Sequence, residues 1–298
     1  MSEKILISQT KLVEAKEFPV SGKSTRQDRV LKECLDAGYQ SLFMPELIRA
    51  RITAPKDSRL WQTWWSSPSL IAYGQVGRKN LVVVAHVPNY FSENPQRVTD
   101  EINKGLIYGA GRFPQEELER LVNLRGERVL VIPYEQLRKS ISGVINVSQV
   151  LNHSLVIPFL GVSKEEAEVY LAKYKEVYDN KIGIWHYDNF QEGQFQQPLA
   201  RFLFLGDSYN NDLGGNYILC DNGRVLGVSG EAGIAHDQGD DLVKIVSDYI
   251  GPEHQSKIVE SLRGLYPSEE QIRTVLEPHF GGTPFFDEII SRVKDQYQ

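Results

Sequence analysis

Three strand-like runs of this chain end in groups suited to moving protons or holding a metal. They are Val82-Val-Val-Ala-His86, Ile182-Gly-Ile-Trp-His186-Tyr-Asp188 and Phe202-Leu-Phe-Leu-Gly-Asp207. If these strands are neighbours with their ends on one side, two imidazoles and two carboxylates converge. Such a set binds a divalent cation or supplies acid and base for hydrolysis. Ser208, directly after Asp207, adds a hydroxyl where a buried strand would expose a nucleophile. The plain alternative for each strand histidine is a hydrogen-bonded core residue.

A second constellation is aromatic. Trp61, Trp64 and Trp65 are three of the four tryptophans in the chain. On a helix, Trp61 and Trp65 share a face. Buried aromatics mostly build core. Clustered beside Ser66, Ser67 and Pro68, they can instead line a ligand pocket or a partner surface. Arg112, at the end of Gly109-Ala-Gly111-Arg112, joins them as a candidate recognition residue. That glycine pair lacks the third glycine and the preceding strand of a dinucleotide loop, so it reads as a turn between two helices.

Familiar motifs each lack a residue their chemistry needs. Ser21-Gly22-Lys23-Ser24-Thr25 looks like the end of a phosphate-binding loop, but Glu17 stands where the first glycine belongs. Phe202-Leu-Phe-Leu-Gly206-Asp207-Ser208 resembles the nucleophile block of the GDS-type lipases and esterases. That family carries the block near its N-terminus and ends in an Asp-x-x-His pair, whereas His279 here follows Glu277 and Pro278. The stretch from Gly206 to Asp221, with Gly223-Arg-Val after it, resembles the core of SUKH-superfamily domains, which are binding modules. The likeness is confined to that short segment. Asp207, Asn211, Asp212, Asn216 and Asp221 invite a calcium reading, but Tyr209 and Asp212 break the EF-hand pattern. Asn and Asp are equally at home in turns.

The elements that must position these groups follow from periodicity and punctuation. Helices are expected over Gln27 to Ala37, Gln96 to Ile107 and Pro114 to Asn123, and from Ser163 onward, where Ser163-x-x-Glu166 forms a capping box. Ser41 to Ile52 is ambiguous because Pro45 interrupts it. A hairpin is expected from Ser69 to Val76 and Leu81 to Val87, with further strands over Glu127 to Ile132, Lys181 to His186, Arg201 to Leu205, Asn216 to Cys220 and Arg224 to Val228. Asp221-Asn222-Gly223-Arg224 predicts a type I′ hairpin turn. After Asp240 the pattern is helical to the end. Hairpins beside helices, without sustained strand-helix alternation, point to an α+β fold with a mostly antiparallel or mixed sheet.

Composition bounds the function classes. The 298 residues carry 41% hydrophobic and 24% charged side chains, the balance of a folded globular chain. One unit over 1–298 is expected, with a split into 1–150 and 151–298 as the alternative. The formal charge of −6 disfavours general nucleic-acid binding, which needs cationic surface. Two cysteines, Cys34 and Cys220, both read as small buried hydrophobes and suit a reducing cytoplasm. No signal peptide or membrane segment is apparent. The reading is a cytoplasmic binding or interaction protein whose partner is a small ligand or another protein. A homo-oligomer is a further option. The rival is a hydrolase, metal-assisted or acid-base, built on His86, His186, Asp188 and Asp207. No cofactor beyond that divalent metal is indicated.

Overall fold

A computed structural model describes residues 2–6, 12–187, 194–207 and 212–229. The chain divides into two compact units, Met1–Ala232 and Gly233–Gln298, and every described residue lies in the first. The helical stretch expected after Asp240 is outside the described residues, as are Asp188 and Ser208.

The chain opens with strands β1 (Ser2–Leu6), β2 (Leu12–Phe18) and the short β3 (Thr25–Arg26). Helix α1 (Gln27–Asp36) buries Val30, Leu31 and Cys34 along one side, at the spacing that marked it as amphipathic. Gly38, just past its end, has φ +79, the left-handed value that favours glycine at a helix C-terminus. After β4 (Tyr39–Ser41), the ambiguous segment resolves as helix α2 (Met44–Thr53). Pro45 sits in its first turn, where a missing amide costs nothing.

Helix α3 (Arg59–Gln62) leads into the hairpin of β5 (Trp65–Val76) and β6 (Lys79–Ala85). Helices α4 (Tyr90–Glu93) and α5 (Gln96–Asn103), strand β7 (Gly111–Arg112), helix α6 (Gln115–Asn123), strand β8 (Val129–Pro133) and helix α7 (Tyr134–Arg138) follow. Then come β9 (Gly143–Asn146), α8 (Val147–Val150), α9 (Val156–Leu160) and α10 (Lys164–Val177). The capping box at the start of α10 is formed, with the Glu166 amide donating to Ser163 Oγ and the Ser163 amide donating back to the Glu166 carboxylate. The described chain finishes with β10 (Lys181–Trp185), β11 (Leu199–Leu205), β12 (Asp212–Gly214), β13 (Asn222–Gly223) and β14 (Val225–Ser229).

The fold is α+β with a mixed sheet. The main sheet runs β8-β6-β5-β11-β12-β10-β9, with β7 also paired to β11. Its pairings are antiparallel except β10 with β12. A four-stranded antiparallel sheet has the order β1-β2-β14-β4. Helices α1, α5 and α6 cover an apolar core built from Val30, Leu70, Val83, Phe91, Leu118 and Phe202. None of the described helices is long and apolar enough to cross a membrane.

Two local expectations are corrected. Asn222-Gly223 is not a hairpin tip: both residues pair with β3, and Gly223 lacks the left-handed φ a type I′ turn requires. Residues 216–218 form no strand; the strand in this region is β12, which ends before them.

Candidate functional site

The three polar strand ends do not converge. β6 and β11 each run antiparallel to β5, so they point the same way, with β5 between them. β10 runs parallel to β12, which is antiparallel to β11. The end of β10 therefore faces away from the ends of β6 and β11. The registers leave His186 level with Leu203 and His86 level with Ser69, but β5, β11 and β12 stand between β6 and β10, so the two histidines are four strand spacings apart, about 19 Å along the sheet. No group of three or more His, Cys, Asp or Glu side chains placed to hold a metal occurs among the described residues.

His86 is a core histidine with both ring nitrogens engaged. Nε2 donates to the Pro158 carbonyl at 2.7 Å, so Nδ1, 2.9 Å from Ser69 Oγ, accepts the serine proton. Burial, then the nearby Arg128 guanidinium, pushes its pKa down to about 3. It is held neutral and inaccessible. Asp207 is buried at the end of β11, beside Tyr178, whose hydroxyl is pushed up to about 12, chiefly by burial. Cys34 is buried as expected, whereas Cys220 is exposed because the residues before it leave the sheet.

The tryptophans separate by one residue. Trp61 stacks on Tyr170 at 5.6 Å and donates from Nε1 to the Arg51 carbonyl. Trp65 is buried in β5 and donates to the Leu60 carbonyl. Both are core. Trp64 lies between them and turns outward, because successive side chains of an extended segment point to opposite faces. It is half-buried, 6.5 Å from the Tyr217 ring, with the Arg224 guanidinium 5.9 Å from its own ring. Arg112 is also half-buried, but its groups are used locally: it pairs with Glu101 at 3.1 Å and donates to the Gly105 carbonyl, tying β7 to the end of α5.

Trp64 belongs to a larger aromatic face that residue spacing does not show. Tyr217 packs on Phe204 of β11 at 4.2 Å. Ile218, 41% exposed, lies against Gly109. Gly109 and Tyr108 are the central pair of a two-residue turn closed by both hydrogen bonds between Ile107 and Ala110. Their φ values are +81 and +51, the positive pair of a type I′ turn. Asn or Gly is favoured at such positions, yet here a tyrosine takes the first one, and the residue is 49% exposed. Strained residues of this kind collect at functional sites. Tyr108 stacks on Tyr187, which follows β10, at 5.7 Å.

Beneath the face lies a buried arginine, Arg201 of β11. Its guanidinium donates to the carbonyls of Tyr108 and Asn216, the latter at 2.6 Å, and lies 4.8 Å from the Tyr187 ring. Desolvation by burial lowers its pKa. A second buried arginine, Arg51, works in the same way near Trp64. It donates to the carbonyls of Leu60, Thr63 and Gly206 and packs against Trp61. Both arginines grip main chain. The loops at Tyr108 and Asn216 are therefore held by carbonyls, which every residue type possesses, while their side chains face out; the segment gripped by Arg51 buries Leu60 and Thr63. The sequence signal for Arg201 was a lone charge inside the apolar run Leu199–Leu205.

No family model and no curated protein matches the chain. Among solved structures it is similar to a Nanoarchaeota protein described as accommodating massive sequence variation by the C-type lectin fold. The two are 41% identical, the match covers 75% of this chain and all of the other, and the TM-score is 0.65.

Proposed function

This chain belongs to the C-type lectin fold family, and on that premise we propose that it is a binding protein that holds a protein partner on the face made by Trp64, Tyr108, Tyr187, Asn216, Tyr217 and Ile218. The observation that carries this reading is the division of labour between Arg201 and that face. The arginine ties the loops through the carbonyls of Tyr108 and Asn216, and the aromatic side chains of the face, stacked on one another and on the sheet, stay partly exposed at the surface. Such a scaffold keeps its backbone when the outward residues change, which is what accommodating sequence variation demands of the similar Nanoarchaeota protein. The choice of a protein partner follows from the residues. Tyrosine and tryptophan give large contact area at low entropic cost and dominate protein-protein hot spots.

The test is a variant carrying Trp64→Ala, Tyr108→Ala and Tyr217→Ala, compared with the parent chain in protein and glycan binding screens. The variant should keep its fold by circular dichroism and lose the protein partners that the parent retains. Partners bound equally by both chains would show that recognition lies elsewhere, and glycan hits lost in the variant would replace the protein partner with a saccharide.

A further inference from the structure

Strand β9 forms one edge of the main sheet and pairs only with β10 among the described residues. An open edge offers unpaired amides and carbonyls to any passing strand, so folded proteins guard edges with charge or proline. Two other edges follow that rule, while the three-residue edge β4 carries neither charge nor proline. β8 ends in Pro133, and β1 carries Glu3 and Lys4. β9 does not. Its sequence is Gly-Val-Ile-Asn, and no Asp, Glu, Lys or Arg occurs between Lys139 and Lys164, in a chain whose charged fraction is 24%. Two strongly exposed apolar side chains sit here, Ile141 at 65% and Val144 at 60%. A cavity of about 720 Å³ lies alongside, walled by Ile141, Ile145, Lys139, Gln149 and His153 among others.

We propose that β9 is a self-association edge, which pairs antiparallel with β9 of a second copy and joins the two main sheets. The occupant follows from charge. The chain carries −6, so two copies repel on average, but β9, with no charged residue, meets its own image without repulsion. A strip with no charge of either sign also has nothing to select a charged heterologous segment. The register follows from symmetry. A two-fold axis normal to the sheet keeps each side chain on its own face, so one residue must oppose its own copy. Centring on Val144 sets the two exposed valines face to face and brings Ile141 of each copy towards Val147 of the other. The cavity beside the strand then receives apolar side chain from the second copy. A four-residue edge supplies less area than a standard interface, so the dimer is expected to be weak and concentration-dependent.

Sedimentation velocity of the full chain over a concentration series tests this, with Val144→Lys as the variant. Val144 is exposed, so the variant should fold normally, as its melting curve will verify. The parent should shift from monomer to dimer as concentration rises, and Val144→Lys should weaken that at least tenfold. Register is read by cross-linking in a Cys220→Ser background. Val144→Cys should form a disulfide-linked dimer under mild oxidation. Asn146→Cys should not, because its copy lies about 13 Å along the strand. A parent that stays monomeric at every concentration overturns the proposal. So does a dimer indifferent to Val144→Lys, or one cross-linked through position 146 instead.

Discussion

Arg201 lies with its guanidinium carbon 4.8 Å from the centre of the Tyr187 ring while one of its nitrogens holds the Asn216 carbonyl. One buried cation thus supports an aromatic of the outer face and fixes the backbone of the loop beside it. Replacing it with leucine strands two carbonyls and removes the support under Tyr187. The expected loss is about 2–4 kcal/mol in urea unfolding. Tyr217→Ser, on the face itself, should cost about 1 kcal/mol or less. Equal losses would mean that the face is part of the core.

Tyr108 pays a backbone penalty for its place in the turn, with φ +51. Tyr108→Asn should therefore stabilise the protein by about 0.5–1 kcal/mol, since asparagine tolerates the left-handed region. The same change should weaken partner binding. A gain in melting temperature with a loss of affinity is the pattern expected of a residue kept for recognition.

Gly161 ends α9 in the left-handed region, with φ +64, and a Cβ there would stand 2.4 Å from the His86 ring. Gly161→Ala combines a strained backbone with a clash against a ring held by two hydrogen bonds. A destabilisation of about 2–4 kcal/mol is expected, measured by chemical denaturation.

His86 also sets a pH dependence. Its folded pKa of about 3 lies below the ordinary 6.5, so the unfolded chain binds a proton that the folded chain refuses. Stability from this residue is fully present above pH 6.5 and falls as pH drops towards 3. The limiting slope is about 1.4 kcal/mol per pH unit. Asp28, Glu101 and Glu166 have lowered pKa values and contribute only at the acidic end of this range. Unfolding free energies of the parent and His86→Gln at several pH values should diverge least at pH 4 and most at pH 7. A constant difference would remove His86 as the source.

The two thiols should separate by reactivity. Burial pushes Cys34 up to about 11, and it contacts Ser41 Oγ at 3.4 Å, whereas Cys220 is exposed. Alkylation of native protein at pH 8 should modify Cys220 alone, with Cys34 following only in denaturant. Mass spectrometry of the peptides distinguishes them.

What the sequence determined by itself was what a few neighbouring residues decide. The capping box of Ser163 and Glu166, the β5–β6 hairpin and the apolar stripe of α1 each rest on contacts within a turn or two of chain, and all appear in the structure. The α+β class followed from the same local signals. Tertiary structure alone decided the site. Whether His186 joins His86 depends on strand order, which puts β5, β11 and β12 between β6 and β10 and is not set by anything in Lys181–Trp185. Trp61, Trp64 and Trp65 read as one cluster, yet neighbouring backbone turns two of them inward and one outward. Asn222-Gly223 carries strong turn chemistry, but β3, some two hundred residues earlier, claims both residues as a strand. The aromatic face gathers Tyr108, Tyr187 and Tyr217 from three separate connections. No short-range pattern encodes that meeting, because it exists only once β11 places Arg201 beneath them.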